Sequence, residues 1–190
     1  MTTTNDTRTE AQRYLDHVTG ALADLYTLAT ADDSDFDELV DLAHECEEAG
    51  EAAEMQGYDA ADVAAEHWTA GLPSLSDSAR YLARVVTEHE PDFDFSISDV
   101  DELREAGRER LYDYFLEFST ATPMAAGEFD AGQTCVKAVI TVGGPYAAIH
   151  QFFGQSPVLV YRSWGDSLEL PLRGDALSAY GYVLDCVLGC

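Results

Sequence analysis

Five histidines, at positions 17, 44, 67, 89 and 150, four cysteines, at 46, 135, 186 and 190, and 36 carboxylates are the side chains in this chain best suited to chemistry. No two histidines stand in an HExxH pair, the spacing that brings two imidazoles onto one helical face around zinc. His44 beside Glu45, and His67 beside Glu66, become ligands only where folding assembles them; the plainer reading is a surface histidine on an acidic helix. The cysteines form no CxxC pair, so neither a disulfide framework nor a zinc site is supported. Cys46, Cys135 and Cys186 read as small buried hydrophobes, and the terminal Cys190 as exposed. Phosphate-cradling glycine loops and the GxSxG elbow are missing, and with so many acids any carboxylate pair is coincidence. Catalysis, a cofactor and a resident metal are therefore not expected.

The charge is more informative. Nine arginines and one lysine, Lys137, oppose those 36 acids, for a net charge of -26 on 190 residues. In dilute buffer such a chain repels itself, whereas at molar salt the Debye length shrinks to about 3 Å and the repulsion nearly vanishes. The acid excess predicts a salt-loaded cytoplasm, as in a halophilic archaeon or its virus or plasmid. Rows of helix carboxylates also imitate duplex phosphates, which opens a second use for the same charge against a nucleic-acid-binding protein. High salt weakens that attraction. Direct nucleic-acid binding is not expected, because the arginines form no patch that outweighs the acids.

At 46% apolar residues the composition is that of a globular protein. No apolar run is long enough to span a bilayer, and the start lacks the pattern of a signal peptide, so a cytoplasmic protein without membrane contact is expected.

Residues 1–120 carry 30 acids and seven arginines, whereas residues 121–190 carry six acids and three bases. In the first part Tyr14, Leu15, Val18, Leu22, Leu25 and Tyr26 recur at helical spacing, behind a capping box of Thr7 and Glu10. A second helix begins near Ser34, turns Phe36, Leu39, Val40, Ala43 and Cys46 inward, and ends around Gly50 or Gly57. Its outer face is Asp37, Glu38, Asp41, Glu45, Glu47 and Glu48. Helices over about 60–70 and 76–88 follow, the latter closed by Pro91. The last, over 98–118 and capped by Ser98 or Asp99, reads as the longest and best buried, with Leu103, Leu111, Tyr114, Phe115 and Phe118 near one side. A loop runs from Pro123 to Gly132.

Beyond it the period changes to that of strands: 135–142, then 146–153 after Gly143-Gly144-Pro145, then 158–163 and 168–172 about a Trp164-Gly165-Asp166 corner. The short connections require antiparallel neighbours. A closing helix over 175–188 offers Leu177, Tyr180, Leu184 and Leu188 to the sheet. The expectation is an α+β fold in which an acidic helical region of about five helices (1–120) packs with a four-stranded antiparallel sheet and a closing helix (134–190) as one compact unit.

Over residues 134–189 the succession of Ile140-Thr141-Val142-Gly143-Gly144-Pro145, Val158 to Tyr161, Trp164-Gly165-Asp166, Leu170-Pro171-Leu172 and a terminal apolar helix resembles a C-terminal module of small phage and plasmid accessory proteins, some of them antirestriction-associated. The resemblance implies a mobile-element origin and a role in countering host defence. The plain reading of the same residues is structural, with Gly143, Gly144 and Pro145 making a turn and Trp164 plugging the sheet edge. If a site exists, it is expected at Gly143, Gly144, Pro145, Arg162, Trp164 and Asp166, where Arg162, Trp164 and Asp166 present a guanidinium, an indole and a carboxylate together. The function read from the chain is non-enzymatic binding of a protein partner, with inhibition of a host nucleic-acid-processing or defence enzyme as its specific form. The alternatives are a small metal-dependent hydrolase built from the scattered histidines and acids, and a structural or assembly protein with only salt-adapted acidity.

Overall fold

The computed structural model describes residues 9–89, 100–121, 135–141, 145–152, 154–164 and 166–188. The described residues form an α+β fold with six α-helices and one five-stranded antiparallel sheet. The helices are α1 (Glu10–Ala29), α2 (Asp33–Glu54), α3 (Ala60–Gly71), α4 (Asp77–His89), α5 (Val100–Asp113) and the closing α6 (Gly174–Leu188). The strands are β1 (Glu117–Ala121), β2 (Cys135–Thr141), β3 (Tyr146–Phe152), β4 (Val158–Ser163) and β5 (Asp166–Pro171), paired in chain order as a meander.

The sheet has one strand more than expected. Residues 117 and 118 were to end the helix over 98–118, but α5 stops at Asp113, 14 residues long against 22 for α2, and the chain then pairs with β2 from Glu117↔Val139 to Ala121↔Cys135. Leu116 N–H donates to Val139 O at 2.8 Å and begins the ladder. Phe115 and Phe118 are three apart, as in a helix, yet they serve a strand entry, where their rings meet at 5.0 Å. The Ser98 or Asp99 cap, the loop from Pro123 to Gly132 and Pro91 lie outside the described residues.

The chain forms two compact units, Thr27–Arg108 and the remainder, Met1–Tyr26 with Glu109–Cys190. In the first, α2 buries Phe36, Leu39, Leu42, Ala43 and Cys46, so Leu42 rather than Val40 faces inward. Trp68 of α3 and Leu82, Ala83, Val85 and Val86 of α4 complete this core. Glu38 is not on the outer face: it is half-buried, and its Oε2 accepts the Ser76 N–H at 2.8 Å at the start of α4. Asp32 caps α2 by accepting from Ser34 N–H at 2.9 Å and Ser34 Oγ at 2.6 Å. Those two bonds hold its carboxyl below the usual range. Arg104 ties α5 to the turn between α1 and α2, donating to Ala31 O at 2.6 and 2.9 Å and pairing with Asp33 at 2.7 Å. Gly107 lets α5 lie against the end of α1, since a Cβ there would stand 2.5 Å from Ala29 N.

In the second unit the Thr9 Oγ1 accepts the Gln12 N–H at 3.2 Å at the start of α1, and the expected cap Thr7 lies outside the described residues. Leu15, Val18, Leu22 and Leu25 are buried as their spacing requires. Tyr14 reaches Tyr161 of β4 at 5.4 Å between ring centroids, and Tyr26 meets Tyr182 of α6 at 6.1 Å. The buried stripe of α6 is Ala176, Ala179, Tyr180 and Val183, whereas Leu177 is exposed. This rotation leaves Cys186 exposed, contrary to its reading as a buried thiol. Cys46 and Cys135 are buried, and Cys190 lies outside the described residues. Among the described residues no helix is long and apolar enough to cross a membrane.

Candidate functional site

The corner between β4 and β5 is a two-residue connection. Ser163 pairs with Asp166, leaving Trp164 and Gly165 between the strands, and β4 and β5 are held in register from there to Val158↔Pro171. Such loops require positive φ, which is why Asn-Gly and Asp-Gly dominate them. Trp164 occupies the first loop position with φ 38°, and among the described residues no other non-glycine has a positive φ. Its indole is wholly exposed, at 102% relative accessibility. Trp164 therefore does not plug the sheet edge: the hairpin turn throws it outward.

The register also separates the residues expected to act with it. Arg162 lies opposite Tyr146 and Ser167, while Asp166 lies opposite Ser163, one step along each strand, so Arg162 and Asp166 project from opposite faces of the sheet. Pro145 is half-buried, and its carbonyl accepts from Thr141 Oγ1 at 3.2 Å. Gly143, Gly144 and Gly165 lie outside the described residues.

Arg162 belongs instead to a group collected from three strands. Lys137 on β2 lies directly opposite His150 on β3, and Tyr146 on β3 directly opposite Arg162 on β4, which puts all four side chains on one face. The Lys137 ammonium stands 5.2 Å from the centre of the Tyr146 ring, and the Tyr146 hydroxyl is 3.4 Å from His150 Nε2. All four are half-buried, and Ala148, between Tyr146 and His150 on this face, is fully buried. Burial first, then Lys137 and Arg162, hold the His150 imidazole below its ordinary 6.5. Sequence periodicity missed this group because no two of its members share a local motif. The one legible signal was Lys137, the single lysine, on a strand otherwise apolar or small.

No known protein family matches the chain, nor does any curated protein or solved structure.

The remaining candidates carry less chemistry. His44 is exposed on α2, 3.4 Å from Glu48 and 3.8 Å from Glu47, and His17 and His67 are exposed. Among the described residues no three metal-ligating side chains come together. A mostly apolar groove of about 670 Å³ in the unit Thr27–Arg108 is lined by Trp68, Leu72, Tyr81 and Ala83, with Arg80 and Arg84 at its edge. Both arginines are engaged locally: Arg80 with the carbonyls of Leu72, Pro73 and Leu75, and Arg84 with Glu88 at 2.8 Å and the Tyr81 ring at 4.7 Å. On α2 the exposed acids Asp33, Asp37, Asp41, Glu45 and Glu48 recur every third or fourth residue, a ridge stepping about 5 to 6 Å at the helical rise.

Proposed function

We propose that this chain is a non-enzymatic binding protein that docks on a protein partner through Trp164. The observation that carries the reading is the conflict between residue and position. Asparagine or aspartate suits the left-handed backbone of the turn and would leave no apolar area in water. Tryptophan does neither, yet it stands there wholly exposed with φ 38°. A large aromatic held on a two-residue hairpin tip, at a cost to the free protein, has the character of an interface anchor, where tryptophan is over-represented and one side chain carries much of the binding energy.

The partner proposed is a host nucleic-acid-processing or defence enzyme, and the setting a halophilic archaeon or its virus or plasmid. Two features support this narrower form. The sheet and its closing helix carry the motifs that resemble antirestriction-associated accessory modules, and the ridge of carboxylates on α2 has a regular step that suits a basic, nucleic-acid-binding surface. In this reading the net charge of -26 serves both solubility in salt and opposition to a cationic partner.

Replacement of Trp164 by asparagine separates anchor from structure. The account expects Trp164→Asn to unfold at the same temperature as the parent protein or slightly higher, because the substitution relieves the backbone and removes exposed apolar surface. A drop of several degrees in calorimetry would make Trp164 a structural residue and remove the ground for the proposal.

A further inference from the structure

We propose that the outer edge of β5, from Ser167 to Glu169, accepts an extended segment of the protein partner as an added antiparallel strand, one that alternates apolar and basic residues. The inference rests on the reading of Trp164 as an anchor and states the form in which the partner meets it: Trp164 stands at the hairpin end of this same edge.

β5 ends the sheet, and among the described residues no strand pairs with its outer side. Antiparallel neighbours alternate between pairs that exchange hydrogen bonds and pairs that do not. Leu172 N–H donates to Pro157 O at 3.0 Å, so the unbroken register from Val158↔Pro171 to Ser163↔Asp166 directs the main-chain groups of Asp166, Leu168 and Leu170 at β4. Those of Ser167 and Glu169 point away from the sheet, and both residues are exposed. Pro171, next in that series, has no N–H to donate and closes the edge at its far end.

Side chains decide what kind of strand fits. Tyr161 and Leu159 of β4 are buried, whereas Leu168 and Leu170, directly opposite them on the same face, are only half-buried. Apolar residues at alternate positions of an added strand would cover both leucines. On the other face Glu169 is exposed, and a lysine or arginine across from it makes a cross-strand charge pair. A second copy of β5 fits less well, because it would bring its own exposed Asp166 and Glu169 to an edge that is already acidic. Main-chain bonds and apolar cover act at short range, so the pairing survives the screening of molar salt.

The probe is a short capped peptide of alternating valine and lysine, titrated at molar KCl into the isotope-labelled full chain and followed by NMR. Saturable downfield shifts of the Ser167 and Glu169 amide protons are expected, while those of Leu168 and Leu170, already bonded to β4, hold their positions. Glu169→Pro removes an outward N–H that the sheet does not use, and should weaken binding by about tenfold, the loss of a main-chain bond with its partner left unpaired. Glu169→Gln keeps that N–H and should retain most of the affinity. Circular dichroism checks folding, and Ser167→Pro serves where Glu169→Pro does not fold. Trp164→Asn separates the two readings: loss of affinity in Trp164→Asn but not in the folded proline variants would keep the anchor and overturn the edge, and the reverse would keep the edge and remove the anchor. Absence of a saturable shift at Ser167 and Glu169 would overturn the proposal, as would a dimer of the parent protein in sedimentation that Glu169→Pro converts to monomer, since a second copy would then hold the edge.

Discussion

His150 shows how a side chain that matches no motif acquires a defined behaviour from its neighbours. Its pKa lies below 6.5 in the folded protein because burial, Lys137 and Arg162 all disfavour the imidazolium. The unfolded chain therefore binds the proton more readily, and folding stability is complete above the unfolded value and is lost as pH falls through it toward the depressed folded value. Between about pH 7 and about pH 5 the parent protein should lose more stability than His150→Gln, measured as the difference in thermal unfolding. Equal slopes for the two proteins would place His150 in an unperturbed environment. Asp32 contributes with the same sign at lower pH, since its carboxyl is held down by the two bonds from Ser34 and the cap is lost on protonation. None of this was legible from single residues. Lys137, Tyr146, His150 and Arg162 are separated by four to twelve positions along the chain, and only the pairings Lys137↔His150 and Tyr146↔Arg162 put them on one face.

At the scale of elements, local pattern succeeded where local contacts decide and failed where distant ones do. The strand expected over 158–163 has those bounds, and α4 begins and ends within one residue of its expected limits. The segment 115–118 was misread because the spacing of Phe115 and Phe118 suits a helix as well as a strand entry, and what decides is β2, which follows only after an intervening stretch of chain. Trp164 was misread for a related reason: a tryptophan beside a turn is usually buried, and only the two-residue loop set by Ser163↔Asp166 turns it outward. Gly107 poses an opposition of effects that can be measured. Helix propensity favours alanine over glycine by about 1 kcal/mol. Packing opposes it, because the added Cβ meets the backbone of Leu28 and Ala29 at 2.7 and 2.5 Å, and backbone cannot step aside as a side-chain tip can. Overpacking wins on this account, and Gly107→Ala should destabilise by about 2 kcal/mol in denaturant unfolding. A stabilised variant would show that α5 and α1 separate freely.

For the whole molecule the net charge of -26 governs behaviour. The Debye length falls from about 10 Å at 0.1 M salt to about 3 Å at 1 M, so repulsion among neighbouring helix carboxylates is strong in the first case and nearly absent in the second. The account predicts loosening below about 0.5 M KCl, read as loss of ellipticity on dialysis, together with an unfolding temperature that climbs with salt. An unchanged spectrum in dilute buffer would leave the acid ridge of α2 without its halophilic explanation and shift weight to a partner. The most direct test of the central claim is a paired capture from haloarchaeal lysate at molar KCl, with the parent protein and folded Trp164→Asn as baits and bound proteins identified by mass spectrometry. The account predicts that the parent recovers a specific nucleic-acid-processing or defence enzyme and that the variant does not. Recovery of the same proteins in equal amounts by both baits would contradict it.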